Sequence, residues 1–290
     1  MSEEMRSKIR LVGALFLLFC PDILFGDSDF TVPPLPSSFS LGSSIDTSEQ
    51  KAFDLSADIN SFWQHRLGFG YGKSFSADDA AFKIATLRAR YETNPLDLVS
   101  AGVAYERSGI RDDLETKAYS LSLNSSPGLW SFGITGERRV VRISQFVVVF
   151  RLPRTYEVTA EAMDFRLGRL LFGELQVEVN YGFTNYEVSA EDFEAEVSAN
   201  RTKEKAFSLA SSLEKSHWGL RAVKFWQSFS SALSFDQSFL FIGDSHTDSF
   251  TLSFNTKMNR SVDLGIDLGA SFESGEETVY SFAPTVTYSF

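Results

Sequence analysis

The sequence predicts an all-β fold, an antiparallel up-and-down transmembrane β-barrel of roughly 14 strands with 12 to 16 allowed. Three observations point there: hydrophobicity that alternates with a period of two, a load of 28 Phe and 9 Tyr, and an apolar export-type leader matched by an aromatic strand at the other end.

The alternation is clearest where Leu171, Gly173, Leu175, Val177, Val179, Tyr181 and Phe183 share one face and Phe172, Glu174, Gln176, Glu178, Asn180, Gly182 and Thr184 the other. Further on, Val262, Leu264, Ile266, Leu268, Ala270 and Phe272 oppose Asp263, Gly265, Asp267, Gly269 and Ser271, so a carboxylate face backs one fit for hydrocarbon. Phe250, Leu252 and Phe254 stand against Thr251, Ser253 and Asn255 in the same way. Weaker alternation marks 51–61, 82–92, 98–107, 117–123, 129–136, 142–150, 156–165, 206–213, 218–225 and 229–239. Turn chemistry separates many of these at Asn94-Pro95, Ser126-Pro127-Gly128, Leu167-Gly168 and Asn259-Arg260. The polar stretches 76–79, 111–115 and 243–248 read as loops, and connections read as short throughout. The raw count nears sixteen, but about 240 residues divided among strands of ~10 and their loops fit 12 or 14 better, since a single-chain barrel takes an even number.

The last segment sets Tyr280, Phe282, Pro284, Val286, Tyr288 and Phe290 on one face. This pattern resembles the C-terminal signature of bacterial outer-membrane barrels, with Pro284 departing from it. The resemblance implies that Tyr288 and Phe290 serve as an assembly signal for the barrel-assembly machinery.

At the start, Arg6, Lys8 and Arg10 precede the apolar run 11–19, too short to span a bilayer, and Pro21 and Asp22 end it. Residues 1–26 therefore read as a signal peptide, 27–50 as a Pro/Ser-rich extended lead-in, and 51–290 as the barrel. Cys20 is the only cysteine, so a chain cleaved after Gly26 holds no thiol and no disulfide. With Leu17 three residues before it, Cys20 also resembles a lipobox cysteine, although Phe19 and Pro21 depart from that pattern.

A net charge of −11 gives no basic surface for nucleic acid. From Lys51 onward no apolar run reaches the ~18 residues of a membrane helix, and mean hydropathy is −0.09. His65, His217 and His246 are isolated from one another, so neither a metal site nor a cofactor is expected. Asp244-Ser245-His246 resembles the Asp-x-His pair of the omptin surface proteases, with Asp78-Asp79 and Asp112-Asp113 as candidate opposing acids. The barrel phospholipases carry a His-x-Ser pair, which none of the three histidines reproduces.

The polar faces supply the candidate lumen: Arg88 and Arg90 on one strand, Glu174, Gln176 and Glu178 on a second, Asp263 and Asp267 on a third. Opposed rows of charge across water bias which solutes pass. The resulting expectation is a porin-like channel in a bacterial outer membrane, passing small hydrophilic solutes, in contact with outer-membrane lipid and with no enzymatic role. The rival readings are an envelope scaffold with a blocked lumen and a hydrolase working at the rim.

Overall fold

The computed structural model describes residues 37–47, 50–60, 65–76, 83–96, 99–110, 114–147, 152–193, 213–241, 245–273 and 277–290. The leader 1–26, Cys20, and the acids Asp78, Asp79, Asp112, Asp113 and Asp244 lie outside them.

Fourteen strands form one closed sheet: β1 (Ser38–Asp46), β2 (Gln50–Asn60), β3 (His65–Ser76), β4 (Lys83–Leu96), β5 (Val99–Ile110), β6 (Leu114–Ser125), β7 (Trp130–Val147), β8 (Leu152–Leu171), β9 (Leu175–Tyr186), β10 (Glu214–Phe225), β11 (Phe229–Leu240), β12 (His246–Lys257), β13 (Val262–Glu273) and β14 (Val279–Ser289). Each strand pairs antiparallel with its neighbours in sequence, and β1 closes the ring against β14, Ser38 opposite Ser289. Closure leaves no edge, which backbone in hydrocarbon requires.

The alternation sorts side chains cleanly. Exposed apolar residues such as Leu67, Phe69 and Tyr71, Leu121 and Leu123, Leu252 and Phe254, and Ile266 and Leu268 recur at every second position and form the outer face. Aromatic rings gather on it near the rim that holds both chain ends of the described residues, Ser37 and Phe290: Trp226 stacks on Phe229 at 5.4 Å, Tyr288 on Phe290 at 6.2 Å, and Arg169 lies 4.8 Å over Trp130. Such rings suit a water–hydrocarbon boundary.

Connections at this end are short. In 126–129 Gly128 takes φ 59° and Trp130 N–H donates to Pro127 O, as expected of Ser-Pro-Gly. In 258–261 the Asn259 side chain accepts from the N–H groups of Ser261 and Val262 at 2.8 and 2.9 Å.

The structure corrects several expectations. Ser38–Asp46, read as lead-in, is β1, so the barrel begins well before residue 51; its serines lower hydropathy, yet Phe39, Leu41 and Ile45 face out. β3 lay in no expected strand, because glycines take three successive inner positions, Gly68, Gly70 and Gly72, between Arg66 and Ser74, and supply no polar side chain to mark that face. The two segments 129–136 and 142–150 belong to a single strand, β7, as far as Val147. Leu167-Gly168 is no turn; it lies within β8, paired to Phe132 and Ser131. The chain reverses instead at 172–174, where Phe172 and Gly173 adopt φ of 54° and 72°. Asn94 and Pro95 fall where the β4–β5 register shifts, between Thr93 and Leu96. Glu115, His246 and Asp248, expected in loops, lie in β6 and β12. Connections are not short throughout: 187–213 joins β9 to β10, and its start folds against the inner wall.

Candidate functional site

The inner wall carries most of the charge. Arg88 and Arg90 of β4 face inward and reach over β3 to carboxylates of β2. Arg90 donates to both oxygens of Asp58 at 2.6 and 2.8 Å, Arg66 joins the same carboxylate at 2.7 Å, and Arg88 lies 2.8 Å from Glu106 and 3.8 Å from Asp54. Strands two apart can pair this way only if the strand between is bare. A Cβ on Gly68 would sit 2.5 Å from Arg90 Nε and 2.7 Å from Asp58 Oδ1, so glycine there is a steric requirement of the ion pair. The wall around these groups encloses a recess of about 300 Å³.

A second group lies on β7 to β11. Arg139 pairs with Glu137 at 2.6 Å and Arg166 with Glu178 at 3.4 Å. His217 bridges Asp164, at 3.1 Å, and Glu214, which also accepts from Ser238 at 2.9 Å. Gly182 and Gly219 again supply the room, since Cβ atoms there would collide with the ring of His217 and with Asp236 and Asn180. Asn124, Thr135, Arg166, Asn180 and His217 line a recess of about 160 Å³ here. At the end of the barrel away from the chain ends, Val141, Val158, Tyr186 and Phe193 bury one another against Tyr156 and Phe241, with Tyr186 stacked 4.0 Å from Phe241. Phe193 is fully buried in this cluster. A single helical turn at 190–193 places it, with Ser189 Oγ accepting from Asp192 N–H at 3.1 Å.

The rest of the wall differs in kind. β11, β13, β14 and β1 contain no lysine or arginine, and the one lysine of β12, Lys257, lies at the end that holds the chain ends. Inward they present hydroxyls, including the Ser40–Thr287 pair at 2.8 Å and the Ser249–Ser271 pair at 3.2 Å, together with Asp236, Asp263 and Asp267. β11 is the seventh strand from β4 in either direction around the ring, so Asp236 stands across from the arginines. Strands spaced about 4.8 Å apart and tilted by ~40° put a fourteen-strand wall about 14 Å from the axis, too far for single side chains from opposite sides to meet.

Of the residues expected in the lumen, Arg88, Arg90, Gln176, Glu178, Asp263 and Asp267 face inward. Glu174 does not line the wall: it sits in the 172–174 turn at the rim, paired with Lys224 of β10. Asp58, Arg66 and Glu106 belong to the first charge group and were not singled out from sequence; His217, read there only as an isolated histidine, belongs to the second. His246 lies on the outer face near the rim, 3.7 Å from Asp248, which accepts from Gln237 at 2.7 Å. Among the described residues no cluster of three or more His, Cys, Asp or Glu has metal-binding geometry.

No family model and no curated protein sequence matches the chain. Among solved structures the chain is similar to the CymD monoaromatic hydrocarbon channel, at 10% identity over 89% of each chain with a TM-score of 0.56. The likeness is one of fold. Weaker similarity extends to the NanC porin, at 8% identity over 87% of this chain and 100% of that one with a TM-score of 0.47. OpdK of Pseudomonas aeruginosa, solved with vanillate, matches at 7% identity over 89% and 98% with a TM-score of 0.44. At these values neither of the last two bears on function.

Proposed function

We propose that the protein is a porin-like passive channel of a bacterial outer membrane, admitting small hydrophilic solutes through a lumen polarised between arginines and carboxylates. The observation that carries this reading is the contrast between the Arg66, Arg88 and Arg90 sector and the hydroxyl and carboxylate wall of β11 to β14 and β1. The wall stands too far from the axis for these charges to fill the interior by pairing across it, and Arg66, Arg88 and Arg90 each pair along their own wall. The apolar outer face and its aromatic rings support membrane placement, and the resemblance to the CymD channel in fold agrees with it. Outer-membrane lipid, and the barrel-assembly machinery acting on Tyr288 and Phe290, are the partners this reading entails.

The scaffold reading draws on the cluster around Phe193, which fills part of one mouth. Liposome swelling separates the two. Vesicles containing the refolded protein are expected to swell in small sugars and amino acids, with rates that fall as the solute grows. Vesicles with folded protein that swell no faster than empty ones would support the scaffold.

A further inference from the structure

We infer that the outer face of β5 to β8, at the end away from the chain ends, is a docking site for the phosphorylated headgroup of an outer-leaflet lipid; this rests on the reading of the chain as an outer-membrane barrel. Arg107, Lys117, Arg138 and Arg142 all lie on the outward parity. Arg107 pairs in register with Lys117, Arg138 with Tyr119, and Arg142 with Glu115. Below them on the same strands the outer face is apolar, with Val103, Leu121 and Leu123 exposed. The cations therefore begin where the hydrocarbon-facing surface stops, the depth at which lipid phosphates lie.

Carboxylates share this surface but leave a cationic surplus. Glu115 serves three cations at once, Arg107 at 2.5 Å, Lys117 at 3.1 Å and Arg142 at 3.8 Å, and Arg142 also holds Glu157 at 2.8 Å. Arg138 is exposed and has no ion pair among the described residues; Glu161 is its register partner on β8. Glu161 shares this outward surface, so the four cations exceed the carboxylates Glu115, Glu157 and Glu161 by one, and the Arg138 guanidinium, which holds no ion pair with them, keeps its N–H groups for bidentate contact with phosphate. The patch is local. On the opposite arc the outer face near the same end carries Phe250, Phe272 and Tyr280, and no strand from β11 to β14 offers a cation there. In a chain of net charge −11, such a concentration does not follow from composition.

The test uses the full-length refolded protein in neutral detergent, with fluorescent bis-phosphorylated lipid A and its dephosphorylated form as probes. Wild type is expected to bind the phosphorylated probe in preference. Each cation near a phosphate-bearing surface contributes a factor of about five, so the double variant Arg138→Gln/Arg142→Gln should bind about 25-fold more weakly. Arg169→Gln, at the other end, should bind as wild type does. Equal binding of both probes, or a double variant that binds as wild type does, would overturn the proposal. So would displacement of the probe by inorganic phosphate at equal concentration, which would make this a site for the free anion. Liposome swelling in neutral lipid, measured on the same preparations, reports the channel separately and is expected to be unchanged in the double variant.

Discussion

Deletion of residues 37–47 is expected to abolish folding into a membrane-inserted barrel. β1 is bonded on both sides, to β2 from Ser38↔Asp58 to Ile45↔Lys51 and to β14 from Ser38↔Ser289 to Asp46↔Ser281. Without it thirteen strands remain, and β2 and β14, both antiparallel to β1, would have to meet in a parallel seam. The alternative leaves two open edges in lipid, where each unsatisfied backbone group costs several kcal/mol. The shift in gel mobility between heated and unheated samples reads the outcome directly. Wild type should show a compact unheated band, and the truncated chain should show none in the same vesicles. A truncated chain that migrates as a compact band and conducts would mean that the barrel closes without β1.

Replacing Asp236, Asp263 and Asp267 together by lysine should reverse the ion preference of the lumen. These three are acids of an inner wall that includes four strands without lysine or arginine; Lys257 of β12, the register partner of Asp263, is the one lysine or arginine on β11 to β14 and β1. A unit charge ~10 Å from a permeating ion in water contributes about 0.4 kcal/mol, so three contribute about 1 kcal/mol, a factor of about five in permeability ratio. Wild type is expected to prefer cations by about that factor, and the triple variant to prefer anions by a comparable one. Reversal potentials in a salt gradient measure both, best at low ionic strength where the Debye length exceeds the charge–ion distance. A triple variant that folds and keeps the wild-type reversal potential would show that ions do not pass along this wall.

How much of this was legible in sequence depended on side-chain contrast. β13 was readable because Leu264, Ile266 and Leu268 alternate with Gly265 and Asp267, and the barrel places the two sets on opposite faces. β3 was not, because glycine carries no hydropathy signal and Gly68, Gly70 and Gly72 are there to clear space for partners on other strands. β1 was hidden by serines, which suit an inner wall as well as a solvated linker. Phe172 disturbed the alternation because it occupies a turn and not a strand, and reading through it carried Glu174 into the lumen. Arg88 and Arg90 stood out by their spacing. Asp58 did not: its contact with Arg90 spans 32 residues and one intervening strand, a relation that exists only once the sheet has formed. The inward Phe193 cluster was likewise unreadable, since it depends on where the 187–213 connection folds back.

The measurement that bears most directly on the proposed function is single-channel recording of the purified, refolded wild-type protein in a planar bilayer. Steady openings of uniform size, with a current that reverses at a potential showing cation preference, are expected from a water-filled lumen with an acidic wall. A protein that migrates as a folded barrel, inserts into the bilayer and passes no current would contradict the channel, and would leave the Phe193 end as a closed mouth.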